Sequence, residues 1–441
     1  VSKPCLTVTP KFSAACPPVE DIRGAGNVRV IPIGGARDAG QGKRGELLVV
    51  AACRWHNGAV KTPLFAIGFR PFFILAALAA AFLIPLWVML FTGQLSRVFA
   101  MGPISWHAHE MLFGYTGAVL AGFLLTAVRN WTKGMTPEGI SLGAIVVFWL
   151  TGRVCSWAGE PTGLWVGAVA DGLFWLSVAV GIGRPIISAK NWRNVAFLPL
   201  LAVLAVADII LHLQAPLWQR VAYDLALNAI LIILAIVGGR IIPLFTGNAV
   251  AEAKVRERGL LDRLALASLV VLMVVDTLPI TPAIQGACAL LAGALHLLRM
   301  VGWGGSKTFT RPILLVLHAG YFFLALGLLA KGASGAVALF PRSIAVHLLT
   351  VGALGLLTLG MLSRVALGHT GRKLVISQVM VLGYLAITGA ALVRVFVPLI
   401  WPTSLLLALW VAAGLWAVSF LVYLLLYVPI LLAKRVDGKP G

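Results

Sequence analysis

The sequence predicts an all-α fold: a polytopic membrane helix bundle of about twelve transmembrane helices, with both termini in the cytoplasm. Three observations carry this reading. Hydrophobic residues make up 60% of the 441-residue chain and charged residues only 11%, a balance foreign to soluble domains. Apolar stretches of roughly 18 residues or more recur along it. Lys and Arg gather in alternate loops, the asymmetry that orients membrane helices.

In chain order the spans fall near 72–92, 108–128, 140–158, 163–183, 195–213, 219–239, 260–280, 282–302, 312–331, 343–363, 375–396 and 403–432. Within lipid each backbone N–H and C=O must be satisfied inside its own segment, which a helix achieves. Runs this long, without strict alternation, exclude a β-barrel. The first span opens at Gly68-Phe69-Arg70-Pro71, with proline where a helix entry needs no N–H. The sixth is expected to break at Gly238, Gly239 and Pro243. Residues 1–61 are rich in Gly, Pro and basic residues, and their one apolar run, Leu47–Cys53, is too short to span. They read as a disordered cytoplasmic extension or a start-site artefact. Residues 62–433 then form the twelve-span membrane domain and 434–441 a short basic cytoplasmic tail.

A formal charge of +20 raises nucleic acid as a partner, but the placement of the charge argues for topology. About 29 of the 35 Lys and Arg fall in segments read as cytoplasmic, leaving Arg97, Arg153, Arg220, Lys331, Arg342 and Arg394 on the other side. The basic surface is therefore expected to meet membrane lipid and no nucleic acid. The five cysteines show no Cys-x-x-Cys spacing, so neither a thiolate metal site nor a disulfide framework is indicated.

Seven of the eight histidines lie inside or at the lip of a span; only His56 does not. An ionisable side chain in a bilayer is costly and marks a functional site by default, and imidazole ligates haem iron and copper. Trp106-His107-Ala108-His109-Glu110 puts two imidazoles and a carboxylate at one span mouth. Residues two apart are turned by about 200° on a helix, so His107 and His109 face different groups unless His107 precedes the helix. The competing reading is a polar interfacial cap. Asp208 and His212 are one turn apart, as are Asp224 and Asn228; a carboxylate there orients a ligand histidine or bonds helix to helix. His109 and His347 are the expected haem ligands at the outer side, with His107 and His212 as copper ligands or supporting residues. Glu110 and Asp208 are expected behind the ligands, and His369 is a further metal candidate. His296 and His318 sit at matching depth on adjacent spans and are expected to converge on a second, inner haem. Arg299 beside that site and Arg372 at the close of the tenth span would hold propionates. Arg153 and Asp171 are read as a structural pair.

From Phe65 onward the chain resembles the NnrS family of bacterial inner-membrane proteins. The matching strings are Gly68–Phe73, Trp106–Gly114, Gly122–Trp131, Gly239–Asn248, His318–Gly327 and His347–Arg372 with its closing Gly-His-Thr-Gly-Arg. One departure is Arg129, where the family's pattern has proline; its absence should straighten the inner end of the second helix. The resemblance implies a twelve-span protein holding haem and copper, linked to denitrification and to resistance against nitric oxide. Nitric oxide or a related small molecule is then the partner, with an electron donor that the sequence does not name. Residues alone leave open whether the protein binds nitric oxide, converts it or protects cellular iron, and so whether it is an enzyme. They also leave open a different class, a secondary transporter with bundle histidines in its permeation path.

Overall fold

The computed structural model describes residues 62–97, 101–158, 161–256 and 259–439; the expectation for 1–61, His56 included, lies outside the described residues. Among the described residues there is no strand, and twelve long helices carry the fold. They are α1 (Phe69–Phe91), α2 (Pro103–Thr132), α3 (Ile140–Trp157), α4 (Pro161–Ser188), α5 (Phe197–His212), α6 (Pro216–Ala249), α7 (Gly259–Thr277), α8 (Pro282–Met300), α9 (Pro312–Val337), α10 (Arg342–His369), α11 (Gln378–Ile400) and α12 (Leu405–Leu432). Eleven are long and apolar enough to cross a membrane. The twelfth, α7, carries Asp262, Arg263 and Asp276. Two of these charges are neutralised within the bundle: Asp262 by Arg299 at 2.6 Å, Asp276 by Lys331. The protein is thus a multi-pass membrane bundle. Sequence neighbours pack side by side, α3 on α4, α4 on α5, α8 on α9, while α12 returns to pack on α1. Large apolar side chains such as Leu217 and Leu425 point outward, as lipid-facing positions require.

One expectation is corrected here. The sixth helix does not break at Gly238, Gly239 and Pro243 but runs on from Pro216 to Ala249. The glycines serve close approach instead: a Cβ on Gly239 would overlap the Arg299 guanidinium, and one on Gly238 would press on Tyr321 at 3.0 Å. Proline within a membrane helix is tolerated where neighbours take up the freed backbone groups. The inner half of the second helix is unbroken from Thr116 to Thr132, and Arg129 bonds Glu138 at 2.9 Å.

The chain repeats itself. Set Pro103 opposite Pro341 without a gap, and Ser105 falls on Ser343, His109 on His347, Gly114 on Gly352, Gly117 on Gly355, Gly122 on Gly360 and Thr132 on Thr370. The backbones agree, because each helix turns π-wound at the same place, at Glu110–Tyr115 and at Leu348–Leu354. Such π-turns are rare and concentrate at functional sites. Set Pro161 opposite Pro402, and Trp175 falls on Trp416. Each tryptophan packs on the repeated glycine of its own copy, Trp175 on Gly117 and Trp416 on Gly355. Thus α2 and α4 correspond to α10 and α12, and the two copies place His109 and His347 in equivalent positions.

Candidate metal centre and histidine cavity

His109 is the last α-helical residue before the π-turn in α2, and its ring is fully buried. Its Nδ1 faces Glu110 Oε1 at 3.1 Å and its Nε2 faces Asp208 Oδ1 at 2.9 Å. Both partners are carboxylates and only accept, so both ring nitrogens carry hydrogen and the ring is an imidazolium. Asp208 comes from α5, one turn before His212, and also accepts from Trp175 Nε1 at 2.9 Å. His212 Nε2 donates to Asp171 of α4 at 3.2 Å. Arg153 of α3 closes the network, donating to both Asp171 oxygens at 2.7 Å and to Glu110 at 3.0 Å.

Glycine makes this packing possible. A Cβ on Gly114 would stand 2.8 Å from Arg153 Nη1, and one on Gly152 would overlap the Asp171 carboxylate. The ligand atoms of His109, Asp171, Asp208 and His212 all lie within 4.8 Å of one another, and all four residues are buried. Three carboxylates, Glu110, Asp171 and Asp208, face Arg153 and the rings of His109 and His212. Convergent carboxylate and imidazole groups are donors that a metal cation can share. The cluster can therefore bind a metal ion, with ring protons displaced as it enters.

The equivalent region of the second copy is open. A cavity of about 580 Å³ lies among α1, α2, α6, α10, α11 and α12, lined by His107, His347, Trp87, Trp416 and Arg394 among others. Ala412 of its wall stands where the first copy has Asp171, and Trp416 donates to the Ala80 carbonyl at 2.8 Å where Trp175 meets Asp208. His347 Nδ1 donates to the Ser343 carbonyl one turn back, at 2.6 Å. That fixes the hydrogen on Nδ1 and leaves the Nε2 lone pair free, the arrangement metal-ligating histidines adopt. His107 stacks on Trp87, ring centroids 4.2 Å apart. No carboxylate among the described residues lies within ion-pair distance of Arg394.

The expected site residues are therefore sorted by the structure in a new way. His107 and His109 do diverge, one to the cavity and one to the cluster. His109 and His347 do not face a common group; equivalence by repeat, not proximity, relates them. His212 and Asp208 join His109, and Asp208 is itself among the four clustered donors and not behind them. Arg153 and Asp171 do pair, as expected, and Asp171 is also one of the four donors that could hold a metal.

His296 and His318 do not converge on an open cavity. His296 bonds Tyr321 Oη at 2.7 Å and the Ala265 carbonyl at 3.0 Å, while His318 bonds Thr246 Oγ1 at 2.9 Å. The rings of Tyr321 and Trp303, 4.5 Å apart, link the two histidines. Arg299 is spent on Asp262, Tyr321 and the Ala235 carbonyl. His369 packs on Phe69 at 5.7 Å, away from the cluster. Arg372 lies just past the end of α10 at His369, at the opposite end of that helix from His347. Trp175, Trp416 and Arg394 were not anticipated; the repeat of His109 in His347 was the signal that could have found them.

Fold and site together define a multi-pass membrane helix bundle with a buried His and Asp cluster able to bind a metal. The NnrS protein family model matches residues 63–435, nearly the whole described chain, and the protein belongs to the NnrS family. Comparison with curated proteins finds no match.

Proposed function

We propose that the chain is a haem- and copper-binding protein of the bacterial cytoplasmic membrane that acts in the response to nitric oxide. The observation that carries this reading is His347, its Nδ1 tied to the Ser343 carbonyl and its ring on the wall of the 580 Å³ cavity. That cavity fits a haem in three respects. Its volume is within the range of cofactor sites. Most of its walls are aromatic and aliphatic, and Arg220, Asp224, Arg342 and Arg394 are its charged groups. Arg394, without a carboxylate partner among the described residues, would bond a propionate, and Arg342 of the same wall is a second candidate although it also bonds Asp224. His347 would hold the iron, and His107 lines the same space.

The cluster of His109, Asp171, Asp208 and His212 fits copper in its oxidised form, for which imidazole and carboxylate are suitable ligands. Haem iron, when bound, supplies the atom that nitric oxide ligates. The chain's own part is to hold that group in an apolar cavity with one imidazole fixed in tautomer. We place both termini in the cytoplasm and the histidine end of α2 and α10 at the outer face, as the loop charges require.

An optical spectrum of the purified protein, reduced with and without nitric oxide, together with metal analysis, tests the reading. A haem band that shifts with nitric oxide, and copper at a constant ratio to protein, are expected; a colourless protein would overturn it. For topology, a cysteine at position 96 should be labelled from outside and one at position 188 should not, and the reverse pattern inverts the bundle.

A further inference from the structure

A second, smaller void of about 50 Å³ adjoins the histidine cavity, between α6 and the repeated helices α2 and α10. Leu354 of α10 lines both spaces. The other two helices carry the same face from one space to the next. On α2, Leu112 lines the cavity and Thr116, one turn on, lines the void; on α6, Leu227 lines the cavity and Ile230 the void. The void therefore continues the cavity along the bundle, away from His347. The repeat builds it. With Pro103 opposite Pro341, Thr116 falls on Leu354 and Phe123 on Met361, and all four line the void. Thr116 follows the π-turn of α2 and Leu354 ends that of α10, so both irregular turns finish where cavity and void meet.

The lining decides what can occupy this space. Among the described residues no charged side chain lines it. Its hydroxyls, Thr116 and Thr358, are already committed: they donate to the Met111 carbonyl at 2.8 Å and the Leu354 carbonyl at 2.6 Å. Thr358 also pairs with Tyr115 Oη at 2.5 Å. A buried water needs about two to four polar partners, and a void without them stays dry and takes apolar guests. A water-sized guest needs on the order of 10–15 Å³. About 50 Å³ therefore admits a diatomic molecule and excludes a haem, a lipid chain or a peptide.

We propose that this void is a holding site for nitric oxide beside the haem cavity. Nitric oxide is diatomic and uncharged, and it favours an apolar space over water. Gas that arrives at the cavity, or leaves the iron, passes Leu354 and waits in the void; no bond forms there and no electron moves. The proposal deepens the reading of the cavity as a haem site that meets nitric oxide, and its test separates the two.

Xenon, an apolar gas probe, is the first arm: crystals of the full chain under xenon pressure should show an atom in the wild type between Leu354 and Met361. The second arm is flash photolysis of the ferrous nitric oxide complex. The wild type should rebind part of its gas in a slow phase independent of nitric oxide concentration, the return from the void. Val237→Trp and Met361→Trp fill the void from two helices at the end away from His347; each should lose that phase and the xenon atom. Leu78→Trp, at an exposed position of α1, should keep both. The haem spectrum reports folding in every variant. No xenon in the wild type void, or a slow phase that survives in both filled variants, overturns the holding site while the haem reading stands. A protein without haem, or with a spectrum indifferent to nitric oxide, overturns that reading, and xenon alone then decides whether the void takes a gas.

Discussion

The His109 cluster and the His347 cavity stand at equivalent places in two copies of one helical unit, yet one is filled with charge and the other is open. In the first copy α4 supplies Asp171 and α5 supplies Asp208, and these acids hold the His109 ring from both sides with Glu110. In the second, Ala412 replaces the α4 acid and the Ala80 carbonyl receives the tryptophan N–H. The scaffold features are shared: the opening proline, the π-turn after the histidine, the glycine against tryptophan. A few side chains therefore decide whether the same backbone makes an ion site or a cofactor-sized space. Acids draw in Arg153 and close the gap between helices; alanine leaves it, and His347 turns to its own helix for a partner. The comparison teaches that the histidine's role is set by what its second nitrogen meets.

The largest effect is expected from His347→Ala, which should abolish haem incorporation while copper content stays at the wild-type level, read by the haem band and by metal analysis. If copper is lost with the haem, the two regions are one centre and the comparison breaks. Next comes Asp171→Asn. It leaves Arg153 and His109 short of a buried counter-charge, and breaking such a network costs about 3–5 kcal/mol. Thermal unfolding in detergent should show it as a large fall in midpoint, with cluster metal lost; Asp208→Asn should do the same, and Ala412→Asn in the other copy should not.

A paired test of the repeat is smaller. A Cβ at Gly355 would lie 2.7 Å from Trp416, but one at Gly117 would lie 3.3 Å from its nearest neighbour, Phe174. Gly355→Ala should then cost about 1–3 kcal/mol by overpacking and Gly117→Ala less, as measured by the same unfolding midpoints. Equal costs would mean that the two copies pack alike and that the cavity does not derive from side-chain identity. The smallest effect is a proton count. Copper(II) entering the cluster must displace hydrogen from the ring nitrogens it ligates, so calorimetry in buffers of different ionisation enthalpy should report release of about one to two protons per metal. Release of none would place the metal elsewhere.

How far the sequence was legible differs between fold and site. The spans were read from apolar runs because lipid imposes one rule on every residue of a helix, and a run of side chains displays that rule directly. The π-turns at Glu110–Tyr115 and Leu348–Leu354, by contrast, leave no mark in hydropathy. Pro243 shows the limit in the other direction: its local preference is to break α6, and neighbouring helices override it. His296 and His318 were matched by depth, but depth is one coordinate of three, and their facing was decided by Tyr321 and Trp303. Arg153 and Asp171 were legible as partners, but their meeting with Glu110 and His109 was not, because nothing linear links the two pairs.

By itself the sequence determined that this protein is a bundle of membrane helices, which residues carry ionisable groups into it, and, through the strings from Gly68 to Arg372, which family it belongs to. Those are properties of composition and order along one chain. Only the tertiary structure decided that His109 meets Asp171, Asp208 and His212 while His347 meets a cavity. Which groups lie within 4.8 Å depends on helix rotation and crossing. Those are set by the fit of glycine against tryptophan and of arginine against acid between helices far apart in sequence.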